Sequence, residues 1–196
     1  AIERPKAPVA EPYTLDRGQQ GEREIRLRRS GGIPLLAVGY HMMPGATREA
    51  VALSALTVML TRQPDGPLYE ALVKSGLAVS VYGYPIALHD PGLLQFGATL
   101  ADESKRDDAW ARLQQLLEGE LPLTEESLDR TRKDFANSRR QIVESAESLA
   151  LTLTESVALG DWRLFFAQSD WMQTLTLDEI RSVAKRYLVR DNRTLA

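Results

Sequence analysis

A chain of 196 residues is long enough for one ordinary domain with a sizeable core, and 43% hydrophobic with 26% charged residues marks it as globular rather than disordered. The formal net charge of -3 gives no global reason to expect nucleic acid or an anionic membrane as partner. The lack of cysteine excludes disulfides, thiolate metal sites and cysteine nucleophiles; it suits cytoplasm and periplasm alike, with the periplasm the expected compartment.

No apolar stretch is long enough for a transmembrane helix, and the start carries no signal-peptide pattern. A chain that begins with Ala1 reads as a fragment of a longer precursor. Pro5, Pro8 and Pro12 lie among Ala, Glu and Lys, so residues 1–20 are expected to be an extended linker. Arg23 to Arg28 alternates, with Ile25 and Leu27 on one side, as a half-buried strand would; Arg26, Arg28 and Arg29 are then a solvated face. Ser30-Gly31-Gly32 is a turn, and Leu35 to His41 is an apolar strand.

Pro44-Gly45 ends that strand, and Ala50, Leu53, Leu56 or Thr57, and Leu60 then recur at helical spacing from Thr47 to Leu60. Gly66-Pro67 opens a short helix, with Gly76 placed for a left-handed cap. Strands follow at Val79 to Tyr84 and Leu93 to Leu100, joined by the turn His89-Asp90-Pro91-Gly92. From Lys105 the pattern is helical: Trp110, Leu113, Leu116 and Leu117 share a face as far as Gly119. Thr124 caps a long helix expected to run to Leu159 and stop at Gly160. Thr176 and Glu179 make a capping box for a last helix through Tyr187, and Asn192 to Ala196 begins a strand. Strands in hairpin-like pairs with helices in runs predict an α+β fold, a mostly antiparallel sheet with helices on one face.

The chemistry-bearing residues are few. His41 and His89 are the two histidines, and no pair stands at i, i+4 for a helical zinc site. His89 with Asp90 is a weak acid/base pair whose Asp is equally explained by the turn. No nucleophile elbow or phosphate loop is present. Glu144, Glu147 and Glu155 read as a solvated stripe, and Trp162, Phe165 and Phe166 as packing.

Several phrases in order nevertheless resemble the insulinase/pitrilysin family of zinc metallopeptidases. They are Gly21-Glu22-Arg23, Pro34 to Pro44, Gly66-Pro67-Leu68-Tyr69-Glu70-Ala71-Leu72-Val73, Ala158-Leu159-Gly160-Asp161-Trp162, and Val183 to Leu188 with Asn192-Arg193-Thr194. The resemblance implies homologous domains paired as a clamshell around a peptide substrate, with an H-x-x-E-H helix in the active half holding zinc. Carried onto this chain, the two histidine positions fall on Ser54 and Val58, the general base on Thr57, and the third ligand near Ala136 or Asn137. None of these can do that work. The substrate-holding Arg and Tyr of the partner half fall on Val73 and Val79, both expected in the core.

The resemblance therefore implies that residues 21–196 are an inactive, zinc-free domain that walls a peptide chamber. Its partners are then a homologous catalytic domain of the same polypeptide, which carries the zinc, and the peptide substrate. An apolar face left without its neighbour could also make the fragment a homodimer. The alternative is a scaffold or interaction subunit of the same fold with no protease partner.

Overall fold

In the computed structural model, residues 18–28 and 30–196 are described; the linker expected over 1–20 lies mostly outside them, as does Arg29. Five strands form one mixed sheet: β1 (Arg23–Glu24), β2 (Leu35–Pro44), β3 (Ala78–Ile86), β4 (Pro91–Leu100) and β5 (Arg193–Leu195), in the order β1-β5-β2-β4-β3. The central pairing is antiparallel, Val38 opposite Phe96 and Gly39 opposite Gln95, and β3 continues it with Tyr82 opposite Gly97. Only the β1–β5 pair is parallel.

Strand alternation decides the two faces. Leu36, Val38, Tyr40 and Met42 of β2, with Leu94, Phe96, Ala98 and Leu100 of β4, point to one side and are buried. Full burial of each large member removes about 1.5–3 kcal/mol of apolar exposure. On the other side Leu35, Tyr84 and Ile86 stay exposed, and Tyr82 stacks on Tyr84 at 5.9 Å between ring centroids. The helices are α1 (Arg48–Thr61), α2 (Arg106–Glu118), α3 (Glu125–Glu144), α4 (Ala146–Ala158), α5 (Leu164–Thr174) and α6 (Leu177–Tyr187); α1 and α6 pack on the sheet, α3 and α5 pack on α1, and α4 packs on α3 and α5. The expected α+β fold with helices on one face is what the chain adopts.

Helix α1 is the centre of the helical layer. Thr47 caps it, its side chain accepting from the Ala50 amide at 3.2 Å. Leu56 and Thr57 are both buried, and beyond the spaced positions legible in the sequence Val51, Ala52, Ala55 and Met59 are buried too, because α1 has the sheet on one side and other helices on the opposite side. The Thr176–Glu179 capping box forms as expected, and Arg48 reaches across from α1 to the same Glu179 carboxylate at 2.8 Å.

Four expectations are corrected. The alternating segment Arg23 to Arg28 is a strand for two residues only; Ile25 and Leu27 are 50% and 79% exposed, with no element among the described residues packed over them. The helix foreseen from Thr124 to Leu159 is two helices: Ser145, in extended conformation, ends α3 and caps α4 through the Ser148 amide at 3.2 Å. Residues Leu164–Thr174 form a helix that periodicity did not show. Of its aromatic group only Phe165 packs inside, whereas Trp162 and Phe166 are exposed. The short helix after Pro67 is present, wound as a π-helix over Tyr69–Lys74 and followed by Gly76 at φ +77°.

Candidate functional site

The three chemistry-bearing positions of the resemblance stand together on α1. Ser54 and Val58, one turn apart, share a face; Ser54 is half-buried and Val58 is 44% exposed. Thr57 is buried against β3, where a Cβ built on Gly83 would come within 3.0 Å of the Thr57 methyl. Both hydroxyls are spent inside their own helix: Ser54 donates to the Ala50 carbonyl at 2.9 Å and Thr57 to the Leu53 carbonyl at 2.7 Å. A neutral hydroxyl is not among the imidazole, thiolate and carboxylate groups that hold zinc, and the Val58 side chain offers no lone pair. Ala136 and Asn137 lie exposed on α3, as Ala and Asn without an acidic oxygen between them. The residues present do not fit zinc. Among the described residues no group of three His, Cys, Asp or Glu gathers to hold a metal ion.

The substrate-holding positions divide. Val73 is half-buried and packs against the core from the π-helical turn, as expected. Val79 does not: it is 67% exposed at the irregularity where the β3 register shifts between Ala78 and Ser80. The bulge turns its side chain away from the helices, which periodicity cannot show. His41 sits half-buried in β2 opposite Leu93, while His89 and Asp90 are exposed at the β3–β4 turn, 3.4 Å apart. The two histidines therefore lie in different elements, one in a strand and one in a turn. Glu144, Glu147 and Glu155 are exposed, as a solvated stripe should be.

An open groove of about 570 Å³ runs between the end of α1, the π-helical turn, α2 and the start of α3, with Arg62, Arg112 and Arg130 along it. Two of these cations are already matched: Arg62 donates to Asp134 at 2.8 Å, and Arg130 to Asp65 at 2.5 Å and Glu126 at 2.7 Å. The groove contains none of the α1 positions Ser54, Thr57 or Val58.

The polar cluster that sequence reasoning missed lies at the other end of the sheet. Arg193, 3% exposed, donates to both Glu118 oxygens at 2.5 and 2.6 Å, and to Glu22 at 2.8 Å, with its guanidinium 5.0 Å from the Trp110 ring centre. The Tyr40 hydroxyl donates to the same Glu118 at 3.0 Å. Burial, then the neighbouring Glu118 charge, hold the Tyr40 phenol well above its ordinary range. No local signal marks these residues, since the Arg193 partners are 75 and 171 positions away.

The family model for the peptidase M16 inactive domain matches residues 2–135. This chain belongs to that family. The inactive peptidase domain of a candidate zinc protease from Bordetella parapertussis is 38% identical over 87% of this chain and 92% of its own, with a TM-score of 0.79. A candidate zinc protease from Bordetella pertussis is 37% identical, covering 85% of this chain and 93% of its own, with a TM-score of 0.77. A protease from Helicobacter pylori shares the fold at a TM-score of 0.86 and 21% identity, over 98% of this chain and 48% of its own. No curated protein sequence matches. The match covers residues 2–135 and so includes all of α1, with Ser54, Thr57 and Val58.

Proposed function

We propose that this inactive M16 domain, taken as residues 21–196, is the zinc-free half of a multi-domain zinc metallopeptidase. It stands beside a separate H-x-x-E-H domain of the same polypeptide, which holds the zinc, and walls the peptide-binding chamber with its open sheet face. The observation that carries the first part is α1, where the positions that the family resemblance assigns to the metal site hold two helix-bound hydroxyls and a valine. The wall reading rests on the sheet, which leaves Leu35, Tyr84 and Ile86 uncovered on the side away from the helices. The Helicobacter pylori protease, about twice as long as the part that matches, supports a second domain in the same chain.

Zinc content after dialysis against metal-free buffer and reloading with excess zinc tests the first part. A stoichiometry near zero is expected, and one tightly held zinc per chain overturns it. Tyr84→Glu, made in the full-length polypeptide, tests the wall. Loss of peptide hydrolysis at an unchanged melting temperature supports it, whereas unchanged hydrolysis favours a scaffold role.

A further inference from the structure

The segment that enters the sheet at β1 is fastened by charge and hydrogen bonds rather than by packing. Its two large apolar side chains, Ile25 and Leu27, are 50% and 79% exposed. Glu22 accepts from Arg193 Nε at 2.8 Å and from Arg190 Nε at 3.2 Å. Glu24 accepts from Arg106 at 2.8 Å and from Arg26 at 2.7 Å. Gln19 donates to the Arg193 carbonyl at 2.5 Å, and the Gly21 and Ile25 amides donate to Asp191 at 3.1 Å and Leu195 at 2.8 Å.

The arrangement is asymmetric. The Arg193 side chain is 4% exposed, but Glu22 is 26% exposed and so open to screening. Arg193 also has a second carboxylate, Glu118, bound through both oxygens and itself bonded to Tyr40. Departure of Glu22 therefore leaves no buried charge unpaired, which is the condition that normally makes breaking such a pair expensive.

We propose that residues 18–25 are an electrostatically latched strap, with Glu22 as the latch on Arg193 and Arg190, and that its release bares the outer edge of β5 while the domain stays folded. The groups that face Glu22 are Arg193 of β5 and Arg190 of the preceding turn, with Glu118 of α2 and Tyr40 of β2 behind Arg193. Hydrogen bonding to Arg193 holds the Glu22 carboxyl below its ordinary value, so the latch is complete above the usual carboxylate range and is lost as pH falls below it.

Hydrogen exchange read by mass spectrometry over residues 18–25, at low and high salt and in Glu22→Gln, tests the strap. A charge-assisted hydrogen bond is worth enough to speed opening by about 10-fold or more when removed. Both high salt and Glu22→Gln should then accelerate exchange in the strap by that factor, with β2 and β4 amides and the melting temperature unchanged. Strap amides that ignore salt and the substitution, or that exchange only in step with β2 and β4, overturn the proposal. If Glu22→Gln lowers the melting temperature, the salt series on the unaltered protein decides alone.

Discussion

Replacing Arg193 by Met is the most informative perturbation of the buried cluster. Methionine keeps most of the aliphatic stem but removes the guanidinium that lies 5.0 Å from the Trp110 ring centre. Glu118, whose side chain is 15% exposed, then loses two hydrogen bonds of 2.5 and 2.6 Å and keeps only Tyr40 at 3.0 Å and Gln114 at 3.4 Å. Breaking a buried pair by removing one partner costs about 3–5 kcal/mol. Because Tyr40 still donates and Glu118 is partly open to water, the lower end, about 3 kcal/mol, is expected here. For a domain of this size that lowers the melting temperature by roughly 6–12 °C. Thermal unfolding followed by circular dichroism measures it. Adding Glu118→Gln removes the stranded charge, so the double variant should recover roughly 1–2 kcal/mol of the loss. A single variant within roughly 2 °C of the parent, or a double variant that simply adds the two losses, would refute the reasoning that a stranded carboxylate sets the cost.

Three further outcomes follow from the packing. Gly97→Ala places a methyl where the Tyr82 ring lies and 2.7 Å from the Leu36 carbonyl, so denaturant unfolding should show a loss of about 1–3 kcal/mol. Thr57→Glu puts an unpaired carboxylate at a position 2% exposed; a loss of about 3 kcal/mol or more is expected, and elemental analysis should still find no bound zinc. Glu179 is held at about 2, mainly by Arg48, against an ordinary 4.5. A depressed carboxyl stabilises the fold above its unfolded value and loses that contribution as pH falls from about 4.5 through about 2. Both partners are more than a third exposed or nearly so, at 34% and 41%, so the contribution is only about 1 kcal/mol. An Arg48→Met variant should therefore show a flatter dependence of stability on pH across that window.

The amino-acid order by itself determines most of the local structure and the empty chemistry. The spacing of Ala50, Leu53, Leu56 and Leu60, the cap Thr124, and the Thr176–Glu179 box depend on groups a few residues apart, and all appear where expected. That Ser54, Thr57 and Val58 carry no imidazole, thiolate or carboxylate is equally legible, because residue type does not depend on the fold. The tertiary structure decides what depends on distant neighbours. It leaves Ile25 and Leu27 without a core behind them, turns Val79 outward at a bulge, and lets Ser145 divide one apolar period into two helices. It alone brings Glu22, Tyr40, Glu118 and Arg193 from opposite ends of the chain into one network around the buried Arg193. Periodicity reports which side of an element is apolar, but burial and charge pairing depend on what the rest of the chain places against that side.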